Sequence, residues 1–433
     1  MLSFTHLGVI MKRSLLIIPL LSTLVSAEVP PLKPKNQSSF VQSQYIPDIS
    51  LIVDASLVGR NRTQDELSTL NVPGLIESFY TGASHDGHEH GALNGNNGFN
   101  LNYAELVLSS NVDPYFALDA VFHFGEEGVE IEEAYFTTTA LGYGTRIRGG
   151  KFLSEFGRMN KQHHHTWDFN DAPLVYSAFL GPEGLSDVGL QFHYVLPIEP
   201  YVMAGLEVMQ GRSETSFGNE SIDVNGTTFD APTPPSLAIA YLKTSFELGN
   251  TTFLPGISYA YGSTQKQHTH NGVEEGFSGH TSLYDAELTI KHYFNSYSYL
   301  QFQSEWMMRV QKGSAIEAGI PNNNIEDQII RQSGLYAQLI YAQDQNWHYG
   351  LRYDNIYQNE FEVDGDYPPT PYQRYTLMSE YHFSEFSRLR LQYDYNSAVY
   401  SQDETTGIYQ QEDVQTLMLS FNFAIGAHAA HSF

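Results

Sequence analysis

The sequence contains no cysteine, and this absence limits the chemistry open to the protein. Disulfide bonds, thiolate metal sites and cysteine nucleophiles are excluded, and an oxidising compartment leaves such a chain unchanged. Charged residues are also few, at 16%, whereas Phe, Trp and Tyr reach 13%. An acidic disordered chain would lack these aromatic residues, so the composition favours strands with one apolar face.

Basic residues are scarce: 22 Lys and Arg stand against 49 Asp and Glu, which gives a formal net charge of −27. Because phosphate binding needs clustered positive charge, we do not expect a nucleic-acid partner. Long apolar runs are also lacking after residue 27, where no stretch reaches the roughly 18 residues that a membrane-spanning helix needs. If the chain crosses a membrane, it must do so with strands.

The beginning of the chain predicts export. Lys12 and Arg13 precede an apolar run that ends in small residues. This order is typical of a cleavable signal peptide, here residues 1–27, for which Met11 is a sufficient start. Residues 28–45 would then form a short periplasmic segment.

Alternating apolar and polar residues recur along the rest of the chain. Near the C-terminus, Leu419, Phe421 and Phe423 occupy every second position, and Ser420 and Asn422 lie between them. Period two over roughly 10 residues is typical of a strand with one lipid face and one aqueous face. We predict sixteen such strands, which start near Ile49, Gly98, Tyr115, Val129, Thr145, Asp187, Tyr201, Ser236, Thr251, Thr281, Ser298, Ile329, Asn346, Tyr372, Ser387 and Glu412.

Short turns and long loops alternate between these predicted strands. Residues 113–114 and 141–144 exemplify the turns, and residues 155–186 exemplify the long loops. This alternation predicts an all-β fold: a transmembrane antiparallel up-and-down β-barrel over residues 46–433, with both ends at the periplasmic rim. The segment before the first strand is too short for a plug domain, so a plugged transporter is not expected.

The long loop at residues 155–186, the third predicted outer loop, contains the most distinctive motifs of the sequence. In order, these are Gly157-Arg158-Met159-Asn160, His163-His164-His165-Thr166-Trp167 and Asp171-Ala172-Pro173. Together with the flanking strands, they resemble a family of zinc-regulated, porin-like outer-membrane proteins of proteobacteria, over roughly residues 46–190. The resemblance implies a transport function in the bacterial outer membrane.

In sixteen-stranded porins the third outer loop folds into the lumen, and by this analogy residues 155–186 would narrow a pore. The predicted constriction consists of Arg158, His163, His164, His165, Trp167, Asp168 and Asp171. The predicted cationic pore wall consists of Arg146, Arg148, Arg352, Arg388 and Arg390. The alternative is that the loop packs as a plug with its aromatic residues buried.

Histidine-rich tracts in two other predicted outer loops suggest capture of a divalent cation. Imidazole combined with carboxylate suits Zn²⁺ and related metals. The candidate ligands are His85, His88, Glu89, His90, His268 and His270. Alternatively, these are solvated loops that tolerate any polar residue, and we interpret Glu132-Glu133, His123 and His382 as solvated or pore-lining in the same way.

Taken together, these patterns predict a porin-like channel for passive, selective diffusion of small solutes, with divalent ions such as zinc favoured by the acidic charge. No Ser, His and acid motif predicts catalysis, so we expect neither an enzyme nor a required cofactor. Two alternatives stay open: a non-conducting, adhesin-like surface barrel, and a porin for a small anion such as phosphate. The expected partners are outer-membrane lipid, lipopolysaccharide, further copies in a homotrimer and, through the terminal Phe433, the barrel-assembly machinery.

Overall fold

The alternating segments form sixteen antiparallel strands that close into one barrel in the computed structural model, so the predicted fold class is confirmed. The structure describes residues 47–68, 70, 93–125, 128–213, 215–270, 273–318, 324–361, 371–402 and 409–426. The predicted signal peptide, the segment at residues 28–45 and Phe433 lie outside these residues. Among the described residues, no helix has both the length and the apolar character needed to cross a bilayer.

The barrel strands follow one another around the wall in chain order, and β1 pairs with both β2 and β18 to close it. The strands of the chain are β1 (Asp48–Arg60), β2 (Gly98–Asn111), β3 (Phe116–Gly125), β4 (Gly128–Thr138), β5 (Thr145–Leu153), β6 (Ser186–Val195), β7 (Tyr201–Met209), β8 (Ile222–Val224), β9 (Thr227–Phe229), β10 (Leu237–Leu248), β11 (Thr251–His270), β12 (Val273–Tyr293), β13 (Tyr299–Glu317), β14 (Asn324–Ala342), β15 (Trp347–Phe361), β16 (Tyr372–Ser384), β17 (Ser387–Gln402) and β18 (Tyr409–Gly426). Strands β8 and β9 form a separate hairpin. The helices are α1 (Gln64–Ser68), α2 (Leu174–Leu180) and a one-turn 3-10 helix (His164–Thr166).

Alternation along each strand separates an apolar outer face from a polar lumen. On β18, Leu417 and Phe423 are 52% and 53% exposed on the outside, whereas Met418 and Ser420 point inward and are buried. An apolar outer face and a polar interior are the pattern expected when the outside meets lipid. The lumen therefore collects charged side chains that a soluble core would not tolerate.

The two rims of the barrel differ. One rim, here the short-turn rim, has only brief connections such as residues 249–250 and 343–346. At the other, long-loop rim, β11 and β12 continue as a paired ribbon to His270 and Val273. The sequence predicts loops at residues 262–280 and 311–327, yet much of both segments is strand. In these segments both faces of the strands meet water, so polar residues occur on both faces. The alternation of apolar and polar residues is therefore lost, although the backbone pairing continues.

The largest apolar cluster lies inside the barrel. Residues 154–185, which connect β5 to β6 and are here called the inner loop, provide much of it. Phe156 and Phe179 are fully buried, and Trp167 and Tyr176 are 2% and 1% exposed. Burial of each such side chain contributes about 1.5–3 kcal/mol, so the inner loop is packed into the lumen as firmly as a domain core.

Candidate functional site

A single helical turn sets the directions of the three consecutive histidines in the inner loop. The backbone N–H groups of Thr166 and Trp167 donate to the carbonyls of His163 and His164 at 2.9 and 3.1 Å. The rings of His163 and His165 stack with centroids 5.7 Å apart, whereas the ring of His164 packs against Trp167 at 4.4 Å. His163 and His165 therefore face one part of the wall together.

Three glutamates of the barrel wall meet these two rings. Glu105 lies on β2, and Glu132 and Glu133 are neighbours on β4 that are both buried, at 6% and 5% exposure. Adjacent strand residues normally point to opposite faces. Here the register of β3 with β4 shifts between Val121 and Phe122, and this β-bulge turns both glutamates into the lumen.

The rings of His163 and His165 contact the carboxylates of the three glutamates directly. His163 reaches Glu132 Oε2 with Nδ1 at 3.3 Å and Glu133 Oε2 with Nε2 at 3.0 Å. Nδ1 of His165 lies 3.2 Å from Glu105 Oε2. These residues, together with a strand histidine between them, form what we call the carboxylate–histidine cluster: Glu105, His123, Glu132, Glu133, His163 and His165.

His123 on β3 lies between the carboxylates of Glu105 and Glu132, at the centre of the cluster. Its Nε2 lies 3.4 Å from Glu105 Oε2 and 3.2 Å from Glu132 Oε2, and its ring stacks on Tyr103 at 5.0 Å. Ligands of a tetrahedral Zn²⁺ at 2.0–2.1 Å lie about 3.3 Å from one another. His123 Nε2 therefore lies at such a distance from an oxygen of each glutamate, and one ligand atom from each of the three residues lies within 4.8 Å of the others.

One atom of the cluster lacks a partner. Oε1 of Glu105 is buried with no hydrogen bond in the part of the chain that the structure describes, and the side chain is 0% exposed. Leaving a buried charged acceptor unsatisfied costs at least about 1–3 kcal/mol. A cation bound between Glu105, His123 and Glu132 would remove this cost.

The electrostatics of the loop histidines follow from their neighbours. Burial alone would lower the pKa of His163, but the carboxylates of Glu132 and Glu133 outweigh it and raise that pKa well above its usual value. Burial lowers the pKa of His164, which faces Trp167 instead. The pKa values of two adjacent imidazoles are thus shifted in opposite directions, because His163 contacts Glu132 and Glu133 directly.

Arginines hold a second part of the inner loop. Arg352 on β15 donates to Asp171 Oδ1 at 2.8 Å, and Arg374 on β16 binds Asp171 Oδ2. Both guanidinium groups also contact Asp354 Oδ2 at 3.1 Å. Burial acts to raise the pKa of Asp171, but the two arginines outweigh it and lower that pKa.

Two arginines of β17 hold the loop by its backbone. Arg388 donates to the carbonyl of His165 at 2.6 Å, and Arg390 donates to the carbonyl of Trp167 at 2.8 Å. Glu380 on β16 accepts from Arg390 Nε at 2.6 Å. Asp168, the remaining carboxylate of the predicted constriction, accepts from Gln338 at 2.8 Å, and burial raises its pKa.

A third contact fixes the start of the loop against β10 to β13. The backbone N–H groups of Arg158 and Met159 donate to the two oxygens of Glu305 at 2.9 and 3.0 Å. Gly157 precedes them with φ +65°, and a Cβ there would lie 2.3 Å from Glu305 Oε2. Glycine is therefore required for this approach.

The predicted pore residues thus separate into groups with different contacts. Arg352, Arg388 and Arg390 contact the inner loop directly, whereas Arg148 lies 4.4 Å above the Tyr135 ring and Arg146 is exposed. A cavity of about 10 Å³ remains beside His164 and Trp167, the space of about one water molecule. The predicted metal ligands His85, His88, Glu89 and His90 lie outside the described residues, and His268 and His270 are placed in β11 by their backbone alone.

The sequence motif identifies His163 and His165 but not their glutamate partners. Glu105 had no distinguishing signal, because one acidic residue in a lumen-facing position is ordinary. Glu132 and Glu133 were interpreted as solvated, because strict alternation places only one of two neighbours inside. The available signal was the pair itself, since two adjacent charges within a transmembrane strand fit only a bulge or a rim.

Comparisons with known proteins place this architecture. No family model matches the chain. An uncharacterized protein of Aquifex aeolicus is 44% identical over 402 residues, which cover 92% of this chain and 82% of that protein. The trimer form of OmpT, an outer-membrane protein of Vibrio cholerae, superposes with a TM-score of 0.50 at 10% identity, covering 88% and 99% of the two chains. The outer-membrane channel DcaP of Acinetobacter baumannii gives 0.49 at 13% identity, covering 88% and 99%. The closed barrel and the OmpT superposition show that the chain has the fold of a bacterial outer-membrane barrel.

Proposed function

This chain belongs to the same protein family as that Aquifex aeolicus protein, and we propose that it is a porin-like channel of the outer membrane for divalent transition-metal cations such as Zn²⁺. The short-turn rim would face the periplasm and the long-loop rim the exterior. The inner loop would be the gate, closed in the arrangement described above. Diffusion would be passive, driven by the concentration gradient.

The observation that supports this proposal most strongly is the composition of the carboxylate–histidine cluster. A loop that only filled the lumen would need apolar packing and hydrogen bonds. Instead, its histidines meet three buried glutamates at 3.0–3.3 Å, which is expensive unless opposite charges balance. Nitrogen and oxygen ligands together suit Zn²⁺ and its neighbours better than Ca²⁺ or Mg²⁺.

Gating follows from competition for the same carboxylates. Oxygens of Glu105 and Glu132 now contact the loop histidines and His123 at once. A divalent cation bound there would compete with His163 and His165 for these carboxylate oxygens, so these two side chains would no longer be held. The loop would then loosen on this side and stay fixed at Asp171. Anions would be repelled by the same carboxylates.

Planar bilayers test the proposal. Purified protein is expected to conduct in steps when Zn²⁺ is present, and changing His163 and His165 together to Ala should open the channel without Zn²⁺. The matched control is His193→Ala, which removes an inward-facing histidine of β6 outside the cluster. Absence of conductance in the parent, in the double variant and in a variant lacking Gly157 to Asp171 would refute a channel.

The packing of the lumen favours one alternative, a non-conducting surface barrel. The small cavity beside Trp167 and the buried aromatic residues would suit a permanent plug. That outcome is the one in which all three bilayer measurements are silent. A porin for phosphate or another small anion is less favoured, because Arg352, Arg374 and Arg390 are already paired with Asp171, Asp354 and Glu380.

A further inference from the structure

A second group of imidazoles and a carboxylate lies in the lumen near the short-turn rim. His348 is the second residue of β15, and its direct partner in the sheet is Glu380 of β16. His382 follows two positions along β16 and so shares the inward face with Glu380. One ligand atom from each of the three residues lies within 4.8 Å of the others. None of them belongs to the carboxylate–histidine cluster.

Both histidines converge on the same oxygen atom. His382 Nε2 lies 2.6 Å from Glu380 Oε1, and His348 Nδ1 lies 3.7 Å from that atom. The first distance is a hydrogen bond, and the second is too long for one. Two imidazole nitrogens directed at one carboxylate oxygen need only a small displacement to share a metal ion, with the ring centroids already 4.7 Å apart.

The carboxylate is positioned from its other side. Arg390 Nε donates to Glu380 Oε2 at 2.6 Å, which leaves Oε1 directed at the histidines. Metal ligands commonly have such a partner, which fixes the ligand and its orientation. The backbone is also fixed, because the His382 N–H donates to the Asn346 carbonyl at 2.8 Å and the Asn346 side chain donates to the His382 carbonyl at 2.8 Å.

The two histidines of this group are more accessible than the loop histidines of the carboxylate–histidine cluster. The side chains of His348 and His382 are 19% and 25% exposed, whereas Glu380 is 5% exposed. The ligands therefore combine a buried carboxylate with two imidazoles that an ion can reach. Two histidines and one carboxylate with an open fourth position are a common zinc ligand set.

We propose that His348, Glu380 and His382 form a second binding site for a divalent transition-metal cation, at the short-turn rim of the lumen. The site takes Zn²⁺ or a metal of similar ligand preference. It binds through His348 Nδ1, His382 Nε2 and Glu380 Oε1, with water in the fourth position. The site does not depend on whether the barrel conducts.

Zinc binding by the full-length protein tests the site. Purified parent in detergent is titrated with Zn²⁺ at pH 7, and bound metal is counted after equilibrium dialysis. Changing His348 and His382 together to Gln is expected to remove one equivalent of bound Zn²⁺. The control His193→Gln, on the inward face of β6, should bind as many equivalents as the parent. Folding of each variant is checked by its β-sheet circular dichroism.

Single variants and a spectroscopic signal complete the test. His382→Gln alone should weaken the affinity of this equivalent by at least about tenfold. Co²⁺ should give weaker visible absorption in the double variant than in the parent. If the folded double variant binds as many equivalents of Zn²⁺ as the parent, the proposed site does not exist. Loss of the equivalent in a barrel that never conducts would keep this site and remove only the channel proposal.

Discussion

The inner loop is attached to the wall in two chemically different ways. At one attachment, Asp171 binds Arg352 and Arg374, which stay charged at every pH that the protein meets. At the other, His163 and His165 bind glutamates, and imidazole can exchange its proton for a metal. In the proposed channel, the arginine attachment is therefore permanent, whereas a cation replaces the histidines at the other attachment. The loop would hinge at the arginines and open at the histidines.

The largest effect is expected from breaking the arginine attachment. Asp171→Asn would leave Arg352 and Arg374 without their loop carboxylate, and losing one partner of a buried ion pair costs about 3–5 kcal/mol. We expect the loop to leave the lumen, which would appear as increased conductance and as protease cleavage within residues 154–185. The exposed Asp327→Asn on β14 should change neither. If the Asp171→Asn variant resists protease as well as the parent and conducts no more than the parent, Asp171 and its two arginines do not hold the loop permanently.

A smaller effect is expected at the histidine attachment. Glu132→Gln keeps the size of the side chain but removes the charge that His123 and His163 share, at a cost of about 1–3 kcal/mol. We expect a loss of the response to Zn²⁺, because the ion loses one of its carboxylate ligands while the contact of His163 with Glu133 still holds the loop. The comparison variant is Glu130→Gln, at a more exposed position of β4 that pairs with Lys151. Equal Zn²⁺ responses of these two variants would count against the cluster.

A third effect tests the contact at the start of the loop. Gly157→Ala places a Cβ against Glu305 at φ +65°, where L-residues are strained. We expect about 1–2 kcal/mol of lost loop docking, seen as a modest rise in protease sensitivity. Gly249→Ala, at a turn with φ +61° and open space around it, measures the backbone strain alone. If both variants behave alike, close approach to Glu305 is unimportant.

The smallest effect is expected from acid. The pKa of Asp171 is lowered, since its arginines outweigh burial, so its contribution to docking is present above the unfolded pKa of about 3.9 and lost only as pH falls through the lower folded value. At Glu155, burial acts to raise the pKa, but Lys161 and Lys243 outweigh it and lower the pKa to about 2. Protease resistance of the inner loop should therefore stay flat between pH 7 and about 4. A loss of resistance centred near pH 5 would show that carboxylates with raised pKa values, such as Asp168, hold the loop more strongly than Asp171 and Glu155 do.

The fold was largely predictable from sequence because membrane strands repeat one simple pattern. Fourteen of the sixteen predicted strand starts lie within three residues of the observed ones; Thr281 and Ile329 are the two exceptions, since β12 and β14 begin at Val273 and Asn324. Both strands begin in the ribbons of the long-loop rim. In these ribbons the alternation of apolar and polar residues weakens, and strand pairing depends on the neighbouring strand rather than on contact with lipid.

The site was predictable only on its loop side. The motif at His163 to Trp167 stood out by composition, but its wall partners are separated from it by 30 to 60 residues in the chain. Glu132 and Glu133 both face inward through a bulge whose position no local pattern specifies. Likewise, Glu380 and His348 become neighbours only through the register of β15 with β16.

Zinc flux into liposomes measures directly whether the barrel conducts divalent cations. Proteoliposomes loaded with a fluorescent zinc indicator are mixed with external Zn²⁺, and the initial rates of the parent and of a Glu105→Gln, Glu132→Gln double variant are compared. We expect rapid entry through the parent and at least about tenfold slower entry through the variant, because the ion loses its carboxylate ligands. Entry into parent liposomes no faster than into protein-free liposomes would contradict it.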